Sequence, residues 1–304
     1  MIRRLILVAL LAVPCAGARA QGGPRRVTVA VLDMGSTPTG ARVTERVAKL
    51  LAPADSATGL SVLDRGMSGA AARGVGYAGS LNLTLGEART LGAAVGCDFF
   101  IAGDAQTIRR SSSARPVYFE SYATAFVVST RTGRLVFWNR PAFTADTAEE
   151  AEAALLAALA PNVASYSLAI AKAAAQEEQE RFRPAEPAPA TVLDLSAEGG
   201  ANSGTDLREP APYRSLRPAY TDAAARAEAE ATVDAAVEID AGGEVKDVRV
   251  VRWAGFGLDE EVVSTVRRMH FRPAERDGER VAVRVLLRYN FRRPPKDAPV
   301  KTQQ

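Results

Sequence analysis

The stretch "LDEEVVSTVRRMHFRPAERDG", Leu258 to Gly278, decides how the last third of this 304-residue chain folds. Leu258, Val262, Val266 and Met269 recur at helical spacing and form one apolar stripe. Asp259, Glu260 and Glu261 fill the first turn and Arg267 and Arg268 the last, the order that a helix dipole favours. Pro273 stops further helix, and "ERDG" turns the chain toward another strand. The single histidine of the chain, His270, stands at this joint. With no second histidine and no Cys-x-x-Cys nearby it cannot make an ordinary zinc site. His270 and Pro273 therefore read as a structural joint, with the imidazole expected to meet a helix-end carbonyl.

Working outward, "ATVDAAVEID" places Val233, Ala235, Val237 and Ile239 on one face of a strand, with Asp234, Glu238 and Asp240 on the other side. "AGGE" turns the chain and "EVKDVRVVRWAG" returns it as a hairpin. Downstream, "VAVRVLLRYNF" puts Val281, Val283, Val285, Leu287, Tyr289 and Phe291 on one face and Arg284 and Arg288 on the other. The region Tyr213–Arg293 is thus a β-β-α-β module. If the apolar face of its last strand packs on the helix, the arginine face and one backbone edge stay accessible. Unpaired N–H and C=O groups on such an edge can accept an incoming extended peptide.

"LRPAY", the alternating strand, "DVRVVRWAG", "LDEEVV" and "RRMHFRPAERDG" occur in an order and spacing that resemble the C-terminal domain of the TonB energy-transducer family over Tyr213–Phe291. Three positions depart from that pattern. Thr221 stands where proline often follows the tyrosine, Ala231 replaces a common glycine, and Met269 occupies the usual tryptophan site. The resemblance implies that an outer-membrane receptor's N-terminal box is held by strand addition along the last strand. The partner-binding residues would then be Val281, Val283, Arg284, Val285, Leu287, Arg288 and Tyr289. Arg284 and Arg288 could steer an acidic segment or form an ordinary solvated face.

Residues 25–182 read as β-α-β-α-β-β-β-α, a layered α/β domain with a mixed sheet. The fold class is therefore α/β (α+β) in two domains. "VAVLDM", "SVLDR" and "LGAAVGCDFFIAGDA" resemble the N-terminal domain of TolB and CsgG-type secretion proteins. Residues 183–212 are rich in Pro, Gly and small polar residues, as a linker is, and fully extended they would reach about 90 Å. Within them "TVLDL" is apolar enough to dock locally. Residues 294–304 read as a disordered tail. In the Ala- and Glu-rich helix Ala148–Glu180, Pro161 is expected to divide the helix in two.

The N-terminus has the order of a secretory signal: "MIRR", an apolar run broken by Pro14, then "ARA" before Gln21. Cleavage after Ala20 is expected; a retained anchor is the alternative, and no other stretch reads as a bilayer span. "AVPC" is a poor lipoprotein site, because Pro14 precedes Cys15. Losing residues 1–20 removes Arg3, Arg4 and Arg19, so the formal charge of +3 becomes 0 and nothing argues for nucleic acid. Cys97 reads as a buried apolar thiol.

Catalytic motifs are missing. The chain has no G-x-S-x-G, no G-x-x-x-x-G-K-[ST] and no H-E-x-x-H. "GVGYAG" does not directly follow a strand and reads as a loop. Asp33, Asp64, Asp98 and Asp104 read as capping and turn residues, and "RRSSSAR" as a solvated hairpin tip. No catalytic, cofactor or metal residue is nominated. The expected function is that of a periplasmic, non-catalytic envelope protein of the TonB type, holding an outer-membrane receptor or another envelope protein. The alternative is a secretion or assembly component acting through its N-terminal domain. A second copy of the chain is a further partner class, and membrane association would come only through an uncleaved leader or through partners.

Overall fold

The computed structural model describes residues 26–52, 59–182, 192–196 and 206–293. The expected leader with Cys15, the tail 294–304 and the greater part of 183–205 lie outside these residues.

The first sheet contains β1 (Val27–Met34), β2 (Leu60–Val62), β3 (Phe99–Arg110), β4 (Tyr118–Ser129) and β5 (Leu135–Asn139) in the order β2-β1-β3-β4-β5, with β6 (Ala142–Ala145) also paired to β4. β1 runs parallel to β2 and β3, and the β3–β4–β5 ribbon is antiparallel, so the sheet is mixed. Helices α1 (Pro38–Leu51), α2 (Arg65–Gly74), α3 (Leu85–Val95) and α4 (Ala148–Arg181) cover it. Strand alternation divides the core. Val29, Val31, Phe99 and Ile101 pack with Val47 of α1 and Leu155, Leu159 and Ile170 of α4. Ala30, Leu32, Phe100 and Ala102 meet Ala72 of α2 and Leu91 of α3 on the opposite face. Two covered faces explain why "VTVAVLDM" is a nearly continuous apolar run.

The fold departs from the expected element order at three places. Arg65–Gly74 is a helix, because the Asp64 carboxylate caps it through the Met67 N–H; its small residues carry no apolar period. "RLVFWNRPAFTA" is two strands, interrupted at Arg140–Pro141, where the Pro141 carbonyl accepts from Ala123 N–H. Helix α4 runs through Pro161 without a break. That residue is exposed, so its missing bond faces water, and the buried stripe Leu159, Val163, Tyr166 and Ile170 offsets the ~3 kcal/mol penalty of an interior proline. By length and composition alone α4 is also apolar enough to cross a membrane, contrary to expectation; its inner stripe packs on the sheet.

The last part of the chain forms a second core. After β7 (Leu193–Asp194), β8 (Leu207–Arg208), β9 (Ala211–Pro212) and α5 (Asp222–Ala227) come the hairpin β10 (Ala231–Ile239) and β11 (Val245–Arg252), then α6 (Leu258–Val266). Three short strands follow, β12 (Phe271–Arg272), β13 (Ala274–Arg276) and β14 (Glu279–Val281), and the chain closes on β15 (Val283–Phe291). The main sheet has the order β11-β10-β15-β7. Val233, Ala235, Val237 and Ile239 are buried against Leu258, Val262, Val266 and Met269, as the two periodicities require. Thr221 caps α5 through the Ala224 N–H, which gives the departure from proline a local role.

The joint is placed differently in detail. Helix α6 ends at Val266, and Arg268 and Met269 donate to carbonyls three residues back, so the arginines lie past the regular helix. The His270 ring is exposed, with Nδ1 3.1 Å from the Glu244 carboxylate oxygens, and not at a helix-end carbonyl. Its main chain does the joining: Tyr213 N–H donates to the His270 carbonyl, and Phe271 N–H to that of Gly243. Pro273 separates β12 from β13.

Candidate partner-binding edge

A strand can accept a guest only where its outer flank lacks a neighbour, so the two flanks of the C-terminal sheet decide the site. The β11 flank is closed at its end by the N-terminal domain. Asn82 Oδ1 accepts the Thr232 N–H at 3.0 Å, and its Nδ2 donates to the carbonyls of Thr232 and Trp253 at 2.8 and 2.6 Å. Trp253 N–H donates to the Leu83 carbonyl at 3.2 Å, and Thr84 bridges to Arg252. Residues 82–84 therefore act as an added strand end.

Trp253 fixes this junction. Its side chain is 2% exposed and belongs to the core formed by Phe100, Phe126 and Leu91 of the N-terminal domain. The indole Nε1 donates to the Gly133 carbonyl at 3.1 Å, and the ring stands 5.6 Å from Phe126. Phe256 meets both Phe126 and Trp138, at 5.6 and 5.3 Å. The approach is close enough to require glycine at 255, and Gly133, which offers its carbonyl to the indole, is itself held close to the start of α3. A Cβ on Gly255 (φ +74) would lie 2.3 Å from the Phe126 ring, and one on Gly133 (φ +73) would strike the main chain of Leu85. Arg110 adds an ion pair to Glu228 across the same boundary at 3.5 Å.

Next to this junction Asp259 clamps the turn before α6, accepting the N–H groups of Ala254 and Gly255 at 2.9 and 2.8 Å. Burial raises its pKa to about 6, outweighing the two N–H donors, which lower it. The folded state thus keeps a proton that the unfolded chain releases near pH 4, and stability falls as pH rises through 6. At about 1.4 kcal/mol per unit this is at most on the order of 3 kcal/mol. In urea titrations the advantage of the wild type over Asp259→Asn should shrink by up to about that amount between pH 4 and 7. A pH-independent difference contradicts the assignment.

β15 presents the other flank. Its inner neighbour is β10, in register from Ala231↔Phe291 to Ile239↔Val283. Val283 and Phe291 are buried and Val285, Leu287 and Tyr289 partly so on the helix side, and Tyr289 Oη lies 3.7 Å from Met269 Sδ. Val281 belongs instead to β14, paired with Ala274, so it stands outside the ladder that the other candidate residues share. On the outer flank β7 pairs in parallel with Val283 and Arg284 only. Leu193 N–H donates to the Ala282 carbonyl at 3.0 Å, and Leu195 N–H to that of Arg284 at 2.8 Å. Main-chain groups alternate along a strand, so those of Leu286 and Asn290 point to the same outer flank. Among the described residues no strand pairs with that flank beyond Arg284.

The arginine face is less open than the sequence suggests. Arg284 pairs with Glu238 at 2.6 Å and Asp194 at 3.2 Å, and these partners, Glu238 first, raise its pKa. Arg288 holds the buried Asp234 through Nε at 2.7 Å and Nη2 at 3.1 Å, and Arg252 approaches the same carboxylate at 3.3 Å. Arg284 also lines a cleft of about 770 Å³ whose opposite wall carries Leu85, Arg89 and Arg134 of the N-terminal domain. No periodic pattern in the sequence marks Trp253 or Asn82 as junction residues; a tryptophan two residues before Gly255 at a strand end is the one available signal.

The remaining candidates hold structure together. Asp98 accepts from Thr28 and Asp104 from Tyr122 Oη and Gln106, while Asp33 lies 3.8 Å from Arg73. "GVGYAG" follows α2, and "RRSSSAR" spans the tip between β3 and β4. Cys97 is buried, and burial pushes its thiol to about 11. Among the described residues no group of three His, Cys, Asp or Glu side chains could hold a metal.

No curated protein matches the chain. Among solved structures, the hypothetical protein CT253 from Chlamydia trachomatis is 13% identical over 47% of this chain and 99% of that one, with a TM-score of 0.32. Lipoprotein GNA1162 from Neisseria meningitidis is 13% identical over 46% and 99%, with a TM-score of 0.29. The LpoB C-terminal domain from Salmonella enterica is 15% identical over 40% and 86%, with a TM-score of 0.27. Likenesses at this level carry no argument about the chain. The C-terminal module is different, because residues 217–292 match the family described as Gram-negative bacterial TonB protein C-terminal. The strand that closes on Phe291 is thus the last strand of the stretch that matches this family.

Proposed function

We propose that the chain is a non-catalytic, periplasmic protein of the Gram-negative cell envelope that holds a partner by adding one of the partner's extended segments to β15. The partner is an outer-membrane receptor of TonB-dependent transport or another envelope protein. One observation carries this reading: the pairing on the outer flank of β15 stops at Arg284, whereas β11 is capped at both ends, by Thr84 at Arg252 and by His270 beside it at Glu244. A row of main-chain donors and acceptors offers affinity to any extended peptide, and the side chains beside it select among peptides. Trp253 and Asn82 tie the module to the N-terminal domain, so a load taken up at β15 passes into a second folded body.

Capture experiments test the reading. With the full chain as bait, an envelope protein is retained, and Leu286→Pro loses it while Met67→Ser, on the exposed surface of α2, keeps it. Retention lost with Met67→Ser and kept with Leu286→Pro would move the function to the N-terminal domain.

A further inference from the structure

The outer flank of β15 carries a short piece of the chain itself. Val192–Ser196 comes from the Pro- and Gly-rich region 183–212, yet it is aligned as a guest strand would be. Leu193 and Leu195 pack on the C-terminal core, on the side of Val285 and Leu287. Asp194, between them, faces the other way and meets Arg284 at 3.2 Å. The strand then ends by its own chemistry. Asp194 Oδ1 accepts the N–H and Oγ–H of Ser196, an Asx turn where the pairing with β15 ends at Arg284. These two contacts and then Arg284 hold the Asp194 carboxyl below its usual range, so it is charged where it meets the guanidinium.

We propose that Leu193–Leu195 is the chain's own occupant of the partner edge, a strand that a guest must displace from the first rungs. The guest it stands in for is an extended segment, parallel to β15, with an acidic residue between two apolar ones. This rests on the reading of β15 as the partner-binding strand. The own segment is suited to giving way. It is held by two main-chain bonds, two partly buried leucines and one half-exposed ion pair, and exposed pairs are weak. It is suited to competing as well, because a segment tethered on both sides acts at an effective concentration in the millimolar range. A free peptide that binds in the ~100 μM range would therefore appear roughly tenfold weaker against the intact chain.

The test uses the full chain and a fluorescent peptide with the sequence of residues 190–199. Leu193→Pro/Leu195→Pro removes both N–H donors, and Asp194→Lys opposes Arg284 without touching the main chain. Both variants should bind the peptide about tenfold more tightly than the wild type, and a peptide carrying lysine in place of the aspartate should bind all three proteins more weakly. Equal affinity for wild type and variants would overturn the inference while leaving β15 able to accept strands. Failure of both variants to bind the peptide would overturn it too. The reading of β15 would then be judged separately, by cross-linking of envelope proteins from Leu286 and Asn290, which lie beyond the occupied rungs.

Discussion

Trp253→Ala is expected to separate the two domains. The indole is buried in a core built by residues 30–128, and its truncation removes both that burial and the bond to the Gly133 carbonyl. Large-to-small changes of this kind cost about 3–5 kcal/mol, because the cavity left behind does not close. The loss falls on the junction, since the cores on either side keep their own stripes. Calorimetry should show two transitions where the wild type shows a coupled one, and proteases should cut between residues 182 and 206 more readily. A variant with one transition and a midpoint unchanged within a degree or two would mean that the junction contributes little. The smaller change Asn82→Ala acts at the same boundary. It leaves the N–H and C=O of Thr232 and the C=O of Trp253 short of a partner, at about 1–3 kcal/mol.

Leu286→Pro is expected to abolish partner capture without unfolding the module. On an edge strand a proline is tolerated where its missing N–H would face outward, and Leu286 is at such a rung. Its side chain is 38% exposed, so little packing is lost. A guest strand would lose one rung outright and would meet the proline ring at the centre of the row. That combination should weaken capture by at least about tenfold, the equivalent of one charge-free rung at roughly 1.4 kcal/mol. Circular dichroism and the urea midpoint should stay near wild type. If capture persisted unchanged in a folded variant, the guest would have to lie elsewhere.

Period and turn chemistry made much of this fold readable. The alternation in "ATVDAAVEID" and "VRVLLRYNF" assigned every buried residue of β10 to its face, and the dense apolar run "VTVAVLDM" marked a strand covered on both sides. Where side chains are small the signal vanished: "MSGAAARG" has no apolar stripe, and only the cap at Asp64 marks its helix. Proline misled in the opposite direction, since Pro161 sits on the exposed side of a helix whose inner stripe outweighs it. The candidate edge was legible as a strand with two unlike faces. What lies beside it was not, because Asp194, Asn82 and Trp253 come from distant segments and contacts at that separation leave no period. The arginines illustrate the point. In sequence Arg284 and Arg288 read as a row that could steer an acidic segment or be simply solvated, whereas Arg284 is committed to Asp194 of β7 and Glu238 of β10, and Arg288 to Asp234 of β10.

The free rungs of β15 are tested most directly by site-specific cross-linking in Gram-negative envelopes. Cys97 is buried and its thiol is pushed up to about 11, so it should stay silent beside introduced cysteines. Leu286→Cys and Asn290→Cys should join the same envelope protein, while Lys246→Cys, on the far strand β11, should join none. Cross-links from Lys246→Cys alone, with Leu286→Cys and Asn290→Cys left unreacted, would contradict the reading of β15.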